Sequence, residues 1–340
     1  MKRDLIYTNN IFLKVIFFFL SIIYLILNRI KFYLFKHNIL KKVKIDNTFV
    51  VSVGNITAGG TGKTPFVIWL TQRLKKKGLK VGVVFRAYKS KEKEGIVSDG
   101  DSMLMDISES GDEPWLIAKK TSVPVAIGKY RAKIAKRLSE QYSLDVVIMD
   151  DAFQYWRLIR DLDIVCVDGK EMFYNKKILP LGIMREPIEN LDRAHIAVIK
   201  RQDQIAGEDE DLKKYFDEDA IFDMSYELSL SERVKESKRI LALAGIAKPE
   251  GFFNMLRKRL PESKVFGMPF NDHCIYDLDD IKRINMFCKK NMIDSIVCTE
   301  KDYFKLVELM DDVECAQLKV NIRGGEDIEE RIVNASDNSR

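Results

Sequence analysis

The stretch FVVSVGNITAGGTGKTPFVIWL, residues 49–70, decides the fold. A β-branched strand runs into a glycine-rich loop ending Gly62-Lys63-Thr64, and an apolar helical pattern begins at once. In such a strand–loop–helix unit, backbone N–H groups and the helix N-terminus cradle phosphates. Thr57, Ala58, Gly59, Gly60, Thr61, Gly62, Lys63 and Thr64 are therefore expected to hold a nucleotide. In a P-loop the lysine reaches the β/γ-phosphates and the Ser/Thr hydroxyl binds Mg²⁺, the roles expected of Lys63 and Thr64. The strict pattern G-x-x-x-x-G-K-[ST] asks for glycine where this chain has Thr57, so Gly59 and Gly60 are expected to supply the backbone freedom.

A nucleotide loop needs a carboxylate at the end of a neighbouring strand to hold the metal. LDVVIMDDAFQ, residues 144–154, offers Asp150-Asp151 after an apolar run, although paired acids also suit a solvated turn. Further out, apolar runs alternate with helical patterns, the mark of a parallel sheet with crossover helices. Strands are expected at 48–53, 81–85, 123–126, 145–149, 164–167 and 197–200, with helices at 64–77 and 130–141. A polar acidic stretch at 202–219 reads as a boundary or an exposed helix. A second set follows, with strands near 239–244, 263–266 and 295–298, and the polar end from about Gly324 is expected to fray. The fold class is α/β: a P-loop NTPase-like parallel sheet, an N-terminal membrane-associated helix and a smaller C-terminal α/β domain. The expected divisions are an arm at 1–44, a kinase-like core at 45–205, a C-terminal domain at 206–330 and a polar tail at 331–340.

Of 340 residues, 46% are hydrophobic and 31% charged, which excludes a disordered or fibrous chain. Five dispersed cysteines form no CxxC pair, which excludes a zinc ribbon and suits a reducing compartment. The net charge of +5 is uneven: residues 1–44 carry nine Lys/Arg against Asp4, and the rest sums to −3. A generally basic nucleic-acid binder is excluded. IFLKVIFFFLSIIYLIL, residues 11–27, has one charge in seventeen positions and a basic, aromatic flank up to Lys44. No small-residue cleavage site follows it, so the segment is expected to stay and attach the chain to a membrane, with the basic flank in the cytoplasm. Whether it spans or lies flat is left open by the sequence.

Guanine recognition asks for N/T-K-x-D, and Thr299-Glu300-Lys301-Asp302 has those letters out of order, which favours ATP. SVGNITAGGTGKTP (52–65), GDEPWLIAKK (111–120), DDAFQYWRLIRDLDIVCVD (150–168), LPLGIMREPIENLDRA (179–194), NDHCIY (271–276) and TEKDYFKL (299–306) follow in order. Together they resemble the tetraacyldisaccharide 4′-kinase family, and Thr57 is itself similar to that family's loop. The resemblance implies transfer of the ATP γ-phosphate to the 4′-hydroxyl of a tetraacylated disaccharide 1-phosphate, with Mg²⁺, on the cytoplasmic face of the bacterial inner membrane. It implies Asp112 as catalytic base with His273 as its partner. Glu113, Asp150 and Asp151 join Thr64 as metal ligands. Arg86, Gln154 and Arg185 are candidate substrate contacts, Arg185 reading equally as an ion pair with Glu186. The lipid precursor and the membrane surface are the expected partners, with no nucleic acid and no obligate protein. Lys301 and Asp302 receive no role.

The chain departs from the resembled pattern at Ala87, Lys89 and Ser90 (for RGYGG) and at Ala152 and Tyr155 (for DDGFQH). Added methyls matter only where φ is positive. The alternative is a membrane-associated P-loop ATPase acting as a switch without a sugar-lipid acceptor.

Overall fold

The computed structural model describes residues 10–87, 90–201 and 210–337, so Tyr88, Lys89 and residues 202–209 of the acidic stretch at 202–219 lie outside it. In chain order the elements are α1 (Ile11–Lys36), β1 (Phe49–Gly54), α2 (Lys63–Lys76), β2 (Val81–Arg86), β3 (Glu94–Asp99), α3 (Ile107–Ser110) and α4 (Asp112–Thr121). Then come β4 (Pro124–Gly128), α5 (Arg131–Tyr142), β5 (Val146–Asp150), β6 (Leu162–Asp168), β7 (Ile196–Lys200), α6 (Glu210–Lys213) and β8 (Ile221–Ser229). The remainder is α7 (Glu232–Glu236), β9 (Arg239–Ala244), α8 (Pro249–Arg259), β10 (Lys264–Pro269), α9 (Leu278–Asn291), β11 (Ser295–Thr299), α10 (Glu300–Leu306), β12 (Val313–Ile322) and α11 (Gly325–Asp337).

The chain divides into two compact units, one up to Ser225 and again from Ile322, the other Tyr226–Asn321. These cuts differ from divisions at 205 and 330, because composition marks a polar stretch but not where the chain returns. In the first unit the sheet order is β8-β7-β6-β1-β5-β2-β4-β3. Its pairs are parallel except the β3–β4 edge. β1 and β5 are buried at every position, as expected of central strands covered on both faces. In the second unit β10, β9, β11 and β12 pair in parallel in that order.

The core strands and helices occur where periodicity places them, within one or two residues. The C-terminal end is a correction: residues 325–337 form α11, whose Ile328 and Ile332 are fully buried one turn apart. Glu329 is also buried and pairs with Arg73 of α2. A Cβ on Gly325 would lie 2.6 Å from the Trp69 ring, so only glycine lets α11 start so close to α2. Glu326, Asp327, Glu330, Arg331, Asn334 and Asp337 face solvent, and the apolar stripe has the 3.6-residue period of a packed helix.

α1 lies along the first unit by one face. Ser21 Oγ donates to the Ile178 carbonyl (3.0 Å) and accepts from Leu181 N–H (3.1 Å). Lys31 Nζ donates to the Gln154 carbonyl (3.4 Å), Phe32 meets Trp156 edge-to-face at 4.3 Å, and Phe35 is buried. The other face leaves Phe12, Ile16, Phe19, Ile23, Leu27 and Ile30 exposed.

Candidate active site

β1 delivers the loop and α2 receives it. Gly62 caps α2 with φ +89°, and Gly59 stands at φ +136°, so the glycines do supply the left-handed backbone. Thr57 needs none: it is buried and bridges Met184 in extended backbone, with Ala58 N–H on the Ile183 carbonyl and Arg185 N–H on that of Ile56. Glycine is required instead at Gly54, where a Cβ would meet the backbone N of Phe153 at 2.7 Å. Asn55 Nδ2 donates to Thr61 Oγ1 (3.2 Å), and Gln154 Nε2 donates to the Asn55 carbonyl (2.9 Å), tying the loop to the β5 end.

Lys63, at the head of α2, faces Asp151, at the end of β5, with Nζ 3.3 Å from Oδ1. Arg185 Nη1 donates to both Asp151 oxygens (2.8 and 3.0 Å) and to Gln154 Oε1 at 3.5 Å. The alternative pairing of Arg185 with Glu186 is not formed, because Glu186 is buried against Arg193 and Asn190. Burial alone would raise the Asp151 pKa, but Lys63 and then Arg185 outweigh it and hold the carboxyl at about 2. Asp150 behaves oppositely: burial first, then the negative charge of Glu113, push it up to about 7 despite Lys63. Its Oδ1 is buried without a hydrogen-bond partner.

Two acids at one strand end are thus separated into one committed anion and one held near neutrality. An orphaned carboxylate oxygen near Glu113, with the Thr64 hydroxyl at the helix head, is a donor set suited to a hard divalent cation. Among the described residues no three carboxylate, His or Cys groups gather closely enough to cage a metal.

A pH test follows. The folded pKa of Asp150, about 7, lies above its ordinary 3.8, so between these values the unfolded chain has released a proton that the folded chain still holds. Stability therefore falls as pH rises from about 4 to about 7, and the full penalty persists above. Mg²⁺ is expected to raise the melting temperature more at pH 8 than at pH 6, and Asp150→Asn to remove that difference. An equal Mg²⁺ increment at both pH values in the wild type would contradict the assignment.

Asp112 and Glu113 form the first turn of α4, behind Gly111 at φ +89°, where the helix dipole favours carboxylates. Both are half-buried. Arg86 is exposed at the end of β2, near enough for its charge to bear on Arg131. His273, Lys301 and Asp302 belong to the second unit.

Three residues of this region are not singled out by the sequence. Arg131, buried at the start of α5, donates from Nη1 to the carbonyls of Asp150 (2.7 Å) and Asp151 (3.0 Å). These bonds hold Asp151 at φ +48°, a conformation disfavoured for a residue with a side chain. Tyr155 lies beneath the guanidinium at 4.4 Å, and its Oη accepts from Ala132 N–H (3.0 Å), so the tyrosine at this departure makes a ring contact and satisfies a first-turn N–H of α5. Ala152 is buried and, unlike Asp151, is not left-handed, so its methyl costs no strain. Lys200 and Asp168 end β7 and β6 side by side: Lys200 Nζ donates to Asp168 Oδ2 and to the Gly60 carbonyl, both at 2.8 Å. A charged residue closing each of two apolar runs was the available signal.

A family model described as tetraacyldisaccharide-1-P 4′-kinase matches residues 13–336. A tetraacyldisaccharide 4′-kinase of Halothermothrix orenii is 34% identical over 323 residues, covering 86% of this chain and 83% of its own. That of Vibrio cholerae (strain O395) is 36% identical over 267 residues, covering 76% and 73%. Among solved structures, the "apo" form of LpxK from Aquifex aeolicus in complex with ATP superposes with a TM-score of 0.78 at 28% identity, over 95% of this chain and 99% of that one. With its phosphate loop, strand-end aspartates and ordered motifs in place, the chain belongs to the tetraacyldisaccharide-1-P 4′-kinase family.

Proposed function

We propose that this chain transfers the γ-phosphate of ATP to the 4′-hydroxyl of tetraacyldisaccharide 1-phosphate, forming the bis-phosphorylated lipid of lipid A biosynthesis. The observation that carries the reading is the cluster at the β1–α2 loop: Lys63 and Arg185 on Asp151, with Asp150 buried and unsatisfied beside it. Phosphoryl transfer needs positioning, charge neutralisation and acceptance of the hydroxyl proton. Residues 57–64 and the head of α2 position the phosphates. Lys63 and Arg185 supply positive charge where it develops. The resemblance assigns the acceptor's proton to Asp112 and gives His273 a part in the transfer step. Thr64, Asp150, Asp151 and Glu113 would hold Mg²⁺, which would supply positive charge to offset that of the phosphates. An acceptor whose 4′-hydroxyl is replaced by hydrogen tests the regiochemistry. It should take no label from γ-labelled ATP, whereas labelling at another hydroxyl would refute the assignment.

The tetraacylated acceptor resides in the bilayer, so the enzyme works at that surface, on the cytoplasmic side where ATP is found. The docking of α1 supports an interfacial rather than a spanning helix. The ten residues Ile11–Leu20 that precede the hydrogen bonds of Ser21 extend about 15 Å, half of the ~30 Å hydrocarbon core. The exposed apolar face lies in the acyl boundary, with the arm's cations at anionic headgroups. Replacing Ile16 and Phe19 together with aspartate removes two exposed anchors, each contributing about 1.5–3 kcal/mol when buried. Binding to anionic vesicles is expected to fall by at least about a hundredfold, and unchanged co-sedimentation would contradict the interfacial reading.

A further inference from the structure

The TEKDYFKL and NDHCIY segments of the second unit are brought together by a buried carboxylate. Asp302 is 1% exposed. Its Oδ2 accepts from Gly245 N–H (3.0 Å) and Thr299 Oγ1 (2.6 Å), and its Oδ1 accepts from Tyr276 Oη (2.8 Å). Gly245 follows β9, and a Cβ there would stand 2.6 Å from Asp302 Oδ1, so glycine is what admits the carboxylate. The Gly245 carbonyl in turn accepts from His273 N–H (3.2 Å). On the far side, Lys305 Nζ donates to the Cys274 carbonyl (3.1 Å). The Tyr276 ring packs edge-to-face on Phe270 at 4.9 Å, so both ends of the 271–276 loop are fastened. Between them His273 is held at φ +63°, left-handed backbone that a side-chain-bearing residue adopts only when its surroundings impose it.

We propose that Asp302 and Tyr276 are positioning residues for His273: one buried carboxylate grips Gly245, which holds the His273 backbone, and Tyr276, which closes the loop. The inference rests on the assignment of His273 to the transfer step and gives Asp302 the role that sequence patterns leave blank. Lys305 completes the clamp from the same short helix, α10.

The chain has three histidines, His37, His195 and His273, so ring signals of histidine-labelled protein in micelles are assignable by their loss in His273→Ala. Tyr276→Phe, which removes only the hydroxyl, and Asp302→Asn, nearly isosteric, are expected to shift the His273 ring signals and leave those of His37 and His195 in place. Each variant should lower kcat about tenfold, with KM for ATP and lipid within about twofold, the pattern of a misplaced group in a bound complex. In a His273→Ala background Tyr276→Phe should cost less than about twofold, because the two act as one unit. Unmoved His273 signals, or the same tenfold loss without His273, would overturn the clamp. Wild-type turnover by His273→Ala would refute the role of His273 itself, a result separate from either.

Discussion

Asp112→Asn is expected to lower kcat for transfer about 10³-fold while ATP binds as before, within the 10²–10⁴ that a positioned base contributes. Asparagine keeps the shape of the side chain and its place in the first turn of α4, behind the left-handed Gly111. It cannot accept the proton that leaves the acceptor hydroxyl. Nucleotide affinity is set elsewhere, by residues 57–64 and the charges around Asp151, so the loss should fall on kcat and not on ATP binding. Titration of a fluorescent ATP analogue alongside steady-state transfer separates the two. Turnover within about threefold of wild type would remove Asp112 from the role of base.

Lys63→Ala should be at least as damaging, and on both quantities. Lys63 is the cation at the head of α2, 3.3 Å from Asp151 and close enough to Asp150 to oppose its upward shift. Without it, Asp151 keeps Arg185 and the charge of Arg131, Asp150 loses its principal opposing charge, and the phosphates lose a donor placed where charge develops. A preorganised charge of this kind is worth about 10²–10³ in rate, and its further contribution to ATP binding makes a combined loss of about 10⁴ in kcat/KM the expected result. Lys63→Arg is not expected to rescue, because a planar fork does not replace a compact ammonium at a tight loop. Retention of a tenth or more of wild-type kcat/KM by the alanine variant would contradict the role.

How much of this was legible in the sequence depends on the range of the interactions involved. β1, the loop and α2 are contiguous, and their pattern of apolar run, glycines, Lys63 and second apolar run specifies them locally. The strand-end acids Asp150-Asp151 are likewise written in eleven consecutive residues. What escaped depends on register or on distant packing. Asp168 and Lys200 are 32 residues apart and become partners only because β6 and β7 align them. Arg131 resembles any surface arginine until the chain turns at Asp151 and offers it two carbonyls. β3 and β12 lack the uniform apolar character of central strands, being mixed in burial, and no run announces them. α11 reads as a polar tail because its charged residues outnumber the stripe of Ile328 and Ile332 that fixes it to the core. The split between Asp150 and Asp151 is invisible to the letters, since identical residues receive opposite pKa shifts from burial and neighbours alone.

The most direct measurement uses purified full-length protein in mixed micelles with Mg²⁺, γ-labelled ATP and tetraacyldisaccharide 1-phosphate, with lipid products resolved from inorganic phosphate. Label is expected in a bis-phosphorylated lipid, with none in the Lys63→Ala variant. Label released only as inorganic phosphate, with the lipid unmodified, would contradict it and mark the chain as an ATPase that uses the same loop without a sugar-lipid acceptor.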